Sequence, residues 1–163
     1  MEVLCAIAVG SNLGDRTETI REAIASLDAV DGVNVVSVSA LHETDPVGGP
    51  AQSAFLNGAL LVRTWLTARQ LLAQLHLVER SLGRVRPDPV RNGPRTIDLD
   101  LLLYGEEILA ESDIEIPHPR MHERSFVLDP LVEIGPDLRH PLQTLTVRQL
   151  HESLRAKELD VTS

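Results

Sequence analysis

Unbroken apolar runs and helix-spaced apolar residues follow one another along this chain in an order that few folds accommodate. Residues 3–9 form a continuous apolar run closed by Gly10, which is typical of a buried strand. Residues 15–30 carry apolar side chains at helical spacing, residues 33–41 alternate loosely, and residues 55–62 form a second apolar run. A helix over residues 67–82 and a strand over residues 95–104 follow. The predicted order is therefore strand, helix, strand, strand, helix, strand.

This order favours antiparallel hairpins with helices packed on the sheet. We predict an α+β fold, a ferredoxin-like sandwich with a mainly antiparallel sheet. Thr67 and Gln70 have the spacing of a capping box at the start of the second helix, and Gly83 can end that helix. Helices over residues 125–134 and 147–154 would form a short C-terminal helical tail that covers the other side or an edge of the sheet. Because the chain has no repeat or interdomain linker, we expect one domain over residues 1–163.

The composition limits the compartment and the classes of partner. Cys5 is the only cysteine, so no intrachain disulfide can form, and no apolar stretch approaches the roughly 20 residues that span a bilayer. We therefore expect a cytoplasmic protein that does not insert into membranes. The net charge of −9 makes nucleic acid a poor partner, because contacts to phosphates dominate that affinity. The sequence implies no obligate protein partner.

Two aspartates stand two residues apart in the strand predicted over residues 95–104. Side chains at positions i and i+2 of a strand lie on the same face, so Asp98 and Asp100 should be neighbours. Two close carboxylates repel each other unless a cation lies between them. Mg²⁺ accepts one or two carboxylates and completes its coordination with substrate phosphates. The pair favours a magnesium site, and a solvated strand face is the alternative.

Arginines cluster in the segment that leads to this strand, at Arg84, Arg86, Arg91 and Arg95. Their planar guanidinium groups match phosphate oxygens. With the aspartates they supply what phosphoryl transfer requires, a metal that bridges phosphates and cations that stabilise the transition state. Salt bridges to neighbouring acids are the alternative interpretation. Residues 44–50 and 86–94 are rich in Pro and Gly, and we expect these two segments to act as lids.

Two histidines and one asparagine indicate binding roles less clearly than the aspartates and arginines do. His118 and His122 are four residues apart, but the prolines beside His118 argue against a zinc-binding helix and favour hydrogen bonding or phosphate contact. Asn57 is polar within an apolar run, and a buried amide needs partners that either the protein or a ligand could supply. We expect the remaining histidines to be structural: His42, His76, His140 and His151.

Five segments carry a resemblance to a known family. They are residues 10–13 (GSNL), 55–57 (FLN), 83–86 (GRVR), 93–105 (GPRTIDLDLLLYG) and 116–121 (IPHPRM). In this order they resemble the 6-hydroxymethyl-7,8-dihydropterin pyrophosphokinases of the folate pathway, over about residues 4–140. The segment over residues 93–105 is the most specific of the five.

The resemblance implies a ferredoxin-like fold and transfer of the β,γ-pyrophosphoryl group of ATP to the hydroxymethyl oxygen of the pterin, with release of AMP. It implies two Mg²⁺ ions held by Asp98 and Asp100, and phosphate contacts from Arg84 and Arg95. The further nucleotide contacts that it implies are Glu79, Ile97, His118 and Arg124. The implied pterin pocket consists of Asn57 at the edge of the ring, Phe55 and Phe126 on its faces, and the backbone around Thr44 and Val47.

Two other functions stay open on the sequence alone. A non-catalytic nucleotide- or metabolite-sensing module could retain the same anion site, and it would leave ATP unaltered in the presence of pterin and Mg²⁺. A magnesium phosphohydrolase could direct the same carboxylates at water, and it would release phosphate without any pterin.

Overall fold

The computed structural model of the protein describes residues 2–45, 54–83 and 96–162. Its first part follows the predicted order with one added short strand: β1 (Val3–Ser11), α1 (Arg16–Asp28), β2 (Val33–Val38), β3 (His42–Thr44), β4 (Phe55–Thr64), α2 (Ala68–Ser81) and β5 (Asp98–Tyr104). Its second part consists of short strands and further helices: β6 (Leu109–Glu111), β7 (Ile114–Ile116), a 3-10 helix (Met121–Glu123), α3 (Ser125–Ile134), β8 (Arg139–His140), β9 (Leu145–Thr146) and α4 (Val147–Thr162).

The main sheet has the strand order β2-β4-β1-β5, and each of these pairings is antiparallel. β3 pairs with the start of β4. This is the strand order of a ferredoxin-like sandwich, so the predicted α+β fold is confirmed. β1 lies inside the sheet because a continuous apolar run is best buried when strands flank it and both faces are covered.

Alternate side chains of the sheet enter two separate packed layers. One face packs against α1 and α2, where Ile7, Leu60 and Leu71 are fully buried. The opposite face packs against α3 and α4, where Leu128 and Val147 are fully buried. The C-terminal helices therefore cover the other side of the sheet, as expected. The site described below lies on this second face.

Local signals in the sequence account for the helix starts better than for the short elements. Thr67 and Gln70 form the predicted capping box, and Asp15 caps α1 by accepting the backbone N–H of Glu18. α4 continues to residue 162, beyond the predicted end at 154, because the added residues contain no Gly or Pro to stop it. β3 and the β6–β7 hairpin were not predicted, since three residues per strand are too few to show alternation. Within the described residues, no helix combines the length and the apolar character needed to cross a membrane.

Candidate active site

Polar side chains of β4 and β5 stand on either side of a glycine of β1, in a row across the face that packs against α3. In the register of the sheet, Gly10 of β1 pairs with Asn57 of β4 on one side and with Asp98 of β5 on the other. Paired residues of antiparallel strands project to the same face. Because neighbouring strands are about 4.8 Å apart, the backbones at Asn57 and Asp98 are about 10 Å apart. A buried amide and a carboxylate thus flank one glycine.

Asp98 and Asp100 lie on this same face of β5 and are half-buried. Leu99 and Leu101 project to the opposite face and enter the core beneath α1 and α2. The paired carboxylates suit Mg²⁺, which takes one or two of them and accepts phosphate oxygens at its remaining positions. Within residues 2–45, 54–83 and 96–162, no group of three or more His, Cys, Asp or Glu side chains is placed to hold a metal.

Glu79 and His118, which the resemblance assigns to the nucleotide, both form hydrogen bonds with the outer edge of β5. The carboxylate of Glu79 on α2 is buried and accepts the backbone N–H of Leu99 at 2.8 Å. The backbone N–H of His118 donates to the carbonyl of Leu102 at 3.0 Å. Since Leu99 lies between the two aspartates, Glu79 fixes the part of the strand from which both carboxylates project.

The surroundings of His118 set its protonation state. Its Nδ1 accepts the backbone N–H of Arg120 at 3.2 Å, which places the proton of the neutral ring on Nε2. Burial lowers the pKa of His118, the charges of Arg124 and Arg120 lower it as well, and the carboxylate of Asp98 acts in the opposite direction. At neutral pH the ring is therefore an uncharged hydrogen-bond donor, which suits a phosphate or hydroxyl oxygen.

A cleft of about 260 Å³ opens beside β5, between α2 and the β6–β7 hairpin. Its lining combines apolar, acidic and imidazole side chains, among them Leu72, His76, Asp100, Asp113, Glu115 and His118. His76 was expected to be structural, yet it lies in this cleft, and its position three residues before Glu79 on α2 could have indicated this. Arg69 forms ion pairs with Glu111 and Asp113 and so ties the hairpin to the start of α2. Neither the hairpin nor its acids were predicted as part of a site.

The other end of the row carries residues that the resemblance assigns to the pterin. Asn57 is buried, and its Nδ2 donates to the hydroxyl of Thr44 on β3 at 2.5 Å. Thr44 in turn pairs with Phe55, so these side chains project toward α3. The amide of Asn57 extends over Gly10, because a Cβ added there would lie 2.8 Å from Oδ1. The fold therefore brings Thr44, Phe55 and Asn57 together.

Arg124 and Phe126 meet at the start of α3. The Cζ atom of Arg124 lies 5.5 Å from the centroid of the Phe126 ring, a cation–π distance. Phe126 is half-buried and packs on the layer formed by α3 and the sheet. A residue assigned to the nucleotide and one assigned to the pterin thus contact each other directly.

The remaining predicted site residues are placed differently. The side chain of Ile97 is fully buried in the core, so any contact of this residue with a nucleotide would have to be made by its backbone. Arg84, Arg95 and Val47 lie outside the described residues, as do residues 46–50 and 86–94 of the Pro- and Gly-rich segments.

The other histidines mostly bond within the protein. His42 contacts the carboxylate of Glu133, and His151 contacts that of Asp129 at 2.9 Å. His122 packs edge-on against His140, with ring centroids 5.8 Å apart. The structural role expected of His42, His140 and His151 agrees with these contacts.

Residues 6–136 match the profile of the family described as 7,8-dihydro-6-hydroxymethylpterin-pyrophosphokinase, or HPPK. The chain belongs to the HPPK family. The matched range contains Asn57, Gly10 and Asp98, and it also contains α3, which packs on the same face of the sheet.

A bacterial and a fungal protein are similar to this chain in sequence, and a solved HPPK-DHPS structure is similar to it in fold. The 2-amino-4-hydroxy-6-hydroxymethyldihydropteridine pyrophosphokinase of Bacillus subtilis is 47% identical over 134 residues, 82% of this chain and 79% of that protein. The folic acid synthesis protein fol1 of Pneumocystis carinii is 43% identical over 148 residues, 91% of this chain and 20% of that protein. A crystal structure of a Plasmodium falciparum HPPK-DHPS triple mutant with pteroate has a TM-score of 0.74 at 14% identity and covers 98% of this chain and 45% of that one. The chain thus spans most of the bacterial HPPK and about a fifth of the fungal protein.

Proposed function

We propose that this HPPK family member transfers the pyrophosphoryl group of ATP to the hydroxymethyl oxygen of 6-hydroxymethyl-7,8-dihydropterin in folate biosynthesis. The hydroxyl oxygen forms a bond to the β-phosphorus, and the bond from that phosphorus to the oxygen shared with the α-phosphate breaks. AMP leaves, and the hydroxyl proton passes to solvent. The observation that carries the proposal is the row formed by Asn57, Gly10 and Asp98, which places an amide and paired carboxylates on one face.

The pterin is proposed to bind at the Asn57 end of the row. The Asn57 amide is held by Thr44 and offers an oxygen acceptor and a second N–H to the hydrogen-bonding edge of the ring. Phe55 and Phe126 are half-buried, and they would stack on the two faces of the ring. The backbone at Val47 is proposed to complete the edge contacts.

ATP is proposed to bind along β5 at the other end of the row. Asp98 and Asp100 would hold two Mg²⁺ ions, which when bound neutralise the triphosphate and favour ionisation of the attacking hydroxyl. Arg84 and Arg95 would bond the phosphates with their planar donors. His118, as an uncharged Nε2–H donor, and Arg124 would add contacts to the nucleotide, with Ile97 contributing through its backbone. Glu79 would act by holding β5 in place.

Residues 1–163 are proposed to act as one pyrophosphokinase domain in the cytoplasm, with ATP and the pterin as small-molecule partners. Val147 and Leu150 of α4 are buried in the same layer as β4 and α3, which favours a single folding unit. The unpaired and fully buried thiol of Cys5 is compatible with a reducing compartment.

Chromatography of the nucleotides tests the proposal directly. The protein is mixed with ATP, Mg²⁺ and 6-hydroxymethyl-7,8-dihydropterin, and parallel reactions omit the pterin or contain a chelator. We expect AMP and pterin pyrophosphate in equal amounts, formed only when all components are present. Formation of ADP would indicate single phosphoryl transfer, phosphate release without pterin would indicate a hydrolase, and intact ATP would indicate a binding module.

A further inference from the structure

Arg16 bridges two parts of the chain that border the pterin pocket. Its Nη1 donates to the carbonyl oxygen of Ala54 at 2.7 Å, and its Nη2 contacts the carboxylate of Glu43 at 2.8 Å. Glu43 lies in β3, and Ala54 directly precedes β4. One guanidinium group therefore joins the middle of β3 to the residue that precedes β4.

The strand that Arg16 holds has little other support. The β3–β4 ladder consists of the pairs His42–Asn57, Glu43–Leu56 and Thr44–Phe55, and in the described part of the chain β3 pairs with no other strand. At the opposite end of β3, the carboxylate of Glu133 on α3 accepts the backbone N–H of Ala40 at 3.0 Å. Side chains from two helices thus secure a strand too short to hold its register by backbone bonds alone.

The local stability of α1 does not explain an arginine at this position. Arg16 is the first residue of the helix, where the helix dipole disfavours a positive charge, and Asp15 already provides the cap. The ion pair with Glu43 contributes little by itself, because the Glu43 side chain is 62% exposed. What distinguishes Arg16 is the fork of donors, which bonds both chain segments at once.

Arg16 acts from the side of the sheet opposite to the pterin pocket. Glu43 pairs with Leu56, which packs on the layer of α1 and α2, whereas Thr44 and Phe55 project toward α3. Arg16 therefore bonds the residues that directly precede the pocket residues Thr44 and Phe55 along the chain. We infer that Arg16 is a positioning residue for pterin binding, which keeps Thr44 and Phe55 in register so that Thr44 can orient Asn57. This inference rests on the proposed function.

The test compares Arg16→Met with a matched control on the same helix. Arg21 is 72% exposed and pairs with Glu18 one turn away, so Arg21→Met removes an arginine from α1 without touching β3 or β4. Pterin binding is measured by titration calorimetry with a non-hydrolysable ATP analogue and Mg²⁺. The kcat and both KM values follow from the AMP assay, and unfolding midpoints from circular dichroism.

We expect Arg16→Met to raise the Kd and the KM for pterin about tenfold, the scale of one lost hydrogen bond, with the KM for ATP and kcat changed less than about threefold. Arg21→Met should match the wild type, and Arg16→Lys should fall between the two because a single ammonium group cannot reproduce the fork. In a double-mutant cycle, the effects of Arg16→Met and Glu43→Gln should not add.

Equal pterin affinity in Arg16→Met and Arg21→Met would overturn the inference. So would a loss shared equally by pterin, ATP and the unfolding midpoint, because that pattern describes a general structural role. The proposed function fails separately: a wild type that binds pterin but forms no AMP refutes the reaction, while the comparison of pterin Kd values still decides the role of Arg16. A wild type that binds no pterin overturns both.

Discussion

The carboxylate of Glu79 accepts the backbone N–H of Leu99, the residue between Asp98 and Asp100, at 2.8 Å. Within the described residues β5 pairs with β1 alone, and on its other side the N–H of Leu99 is bonded by a side chain. Glu79 is 1% exposed, and its helix, α2, is anchored in the core through Leu71 and Leu75. The position of Asp98 and Asp100 is thus tied to α2 as well as to β1.

We predict that Glu79→Ala lowers both stability and turnover. The substitution leaves the buried N–H of Leu99 without this acceptor, which costs about 1–3 kcal/mol in the free energy of unfolding. Glu79→Gln keeps a carbonyl oxygen at the same place and should retain most of the stability. Urea unfolding and kcat at saturating Mg²⁺ measure the two effects. If the alanine and glutamine variants were equally stable, the bond to Leu99 would have no part in holding β5.

We predict that Asp98→Asn and Asp100→Asn each reduce turnover by about 100-fold or more while the fold persists, because electrostatic stabilisation of the triphosphate would depend on the metal that this pair is proposed to hold. Asp137→Asn serves as the control, since that carboxylate is exposed and pairs with Arg148 on α4. Circular dichroism confirms folding, and AMP formation is followed across a range of Mg²⁺ concentrations. Turnover near the wild-type value in both active-site variants is incompatible with metal binding at this pair.

Stability should fall in mild acid because of His140. Its Nδ1 accepts the backbone N–H groups of Leu142 and Gln143 at 3.2 and 3.1 Å, which only the unprotonated nitrogen can do. Burial lowers the pKa of His140, and the nearby His122 lowers it further. In the unfolded chain the imidazole keeps its ordinary pKa of about 6.5, so below that pH the unfolded state binds a proton that the folded state resists. The contribution of His140 to the free energy of unfolding is therefore complete above about pH 6.5 and is lost as the pH falls.

Urea unfolding at pH 7 and pH 5 measures this dependence. We expect a lower free energy of unfolding at pH 5 in the wild type. His140→Asn keeps an acceptor for the two N–H groups but does not titrate, so its free energy of unfolding should change less between the two pH values. An identical pH dependence in both proteins would assign the acid sensitivity to other groups.

Local spacing in the sequence predicted some parts of the site and could not predict others. The shared face of Asp98 and Asp100 follows from the two-residue repeat of a strand, and the Thr67 cap follows from a four-residue pattern. The alignment of Asn57 and Asp98 across Gly10 depends on the register between strands far apart in sequence, which local spacing does not contain. The resemblance named these residues separately, and only the fold shows that they lie in one row.

Gly10 leaves room for the amide that is proposed to bind the pterin. A Cβ at this position would lie 2.8 Å from Oδ1 of Asn57, and the next atom, the carbonyl oxygen of Leu56, would be 3.6 Å away. Because the close contact is with the end of a side chain, the Asn57 amide can turn away in Gly10→Ala, and we expect stability to fall by about 1–3 kcal/mol as the buried amide loses its partner. The turned amide would lose its bond to Thr44 and its place at the pterin, so the KM for pterin should rise about tenfold or more.

Gly58→Ala is the control, since its Cβ would meet Leu41 on the opposite face at 2.8 Å and should lower stability without a selective loss of pterin affinity. A pterin KM in Gly10→Ala equal to that of the wild type would mean that the amide does not contact the substrate from this position.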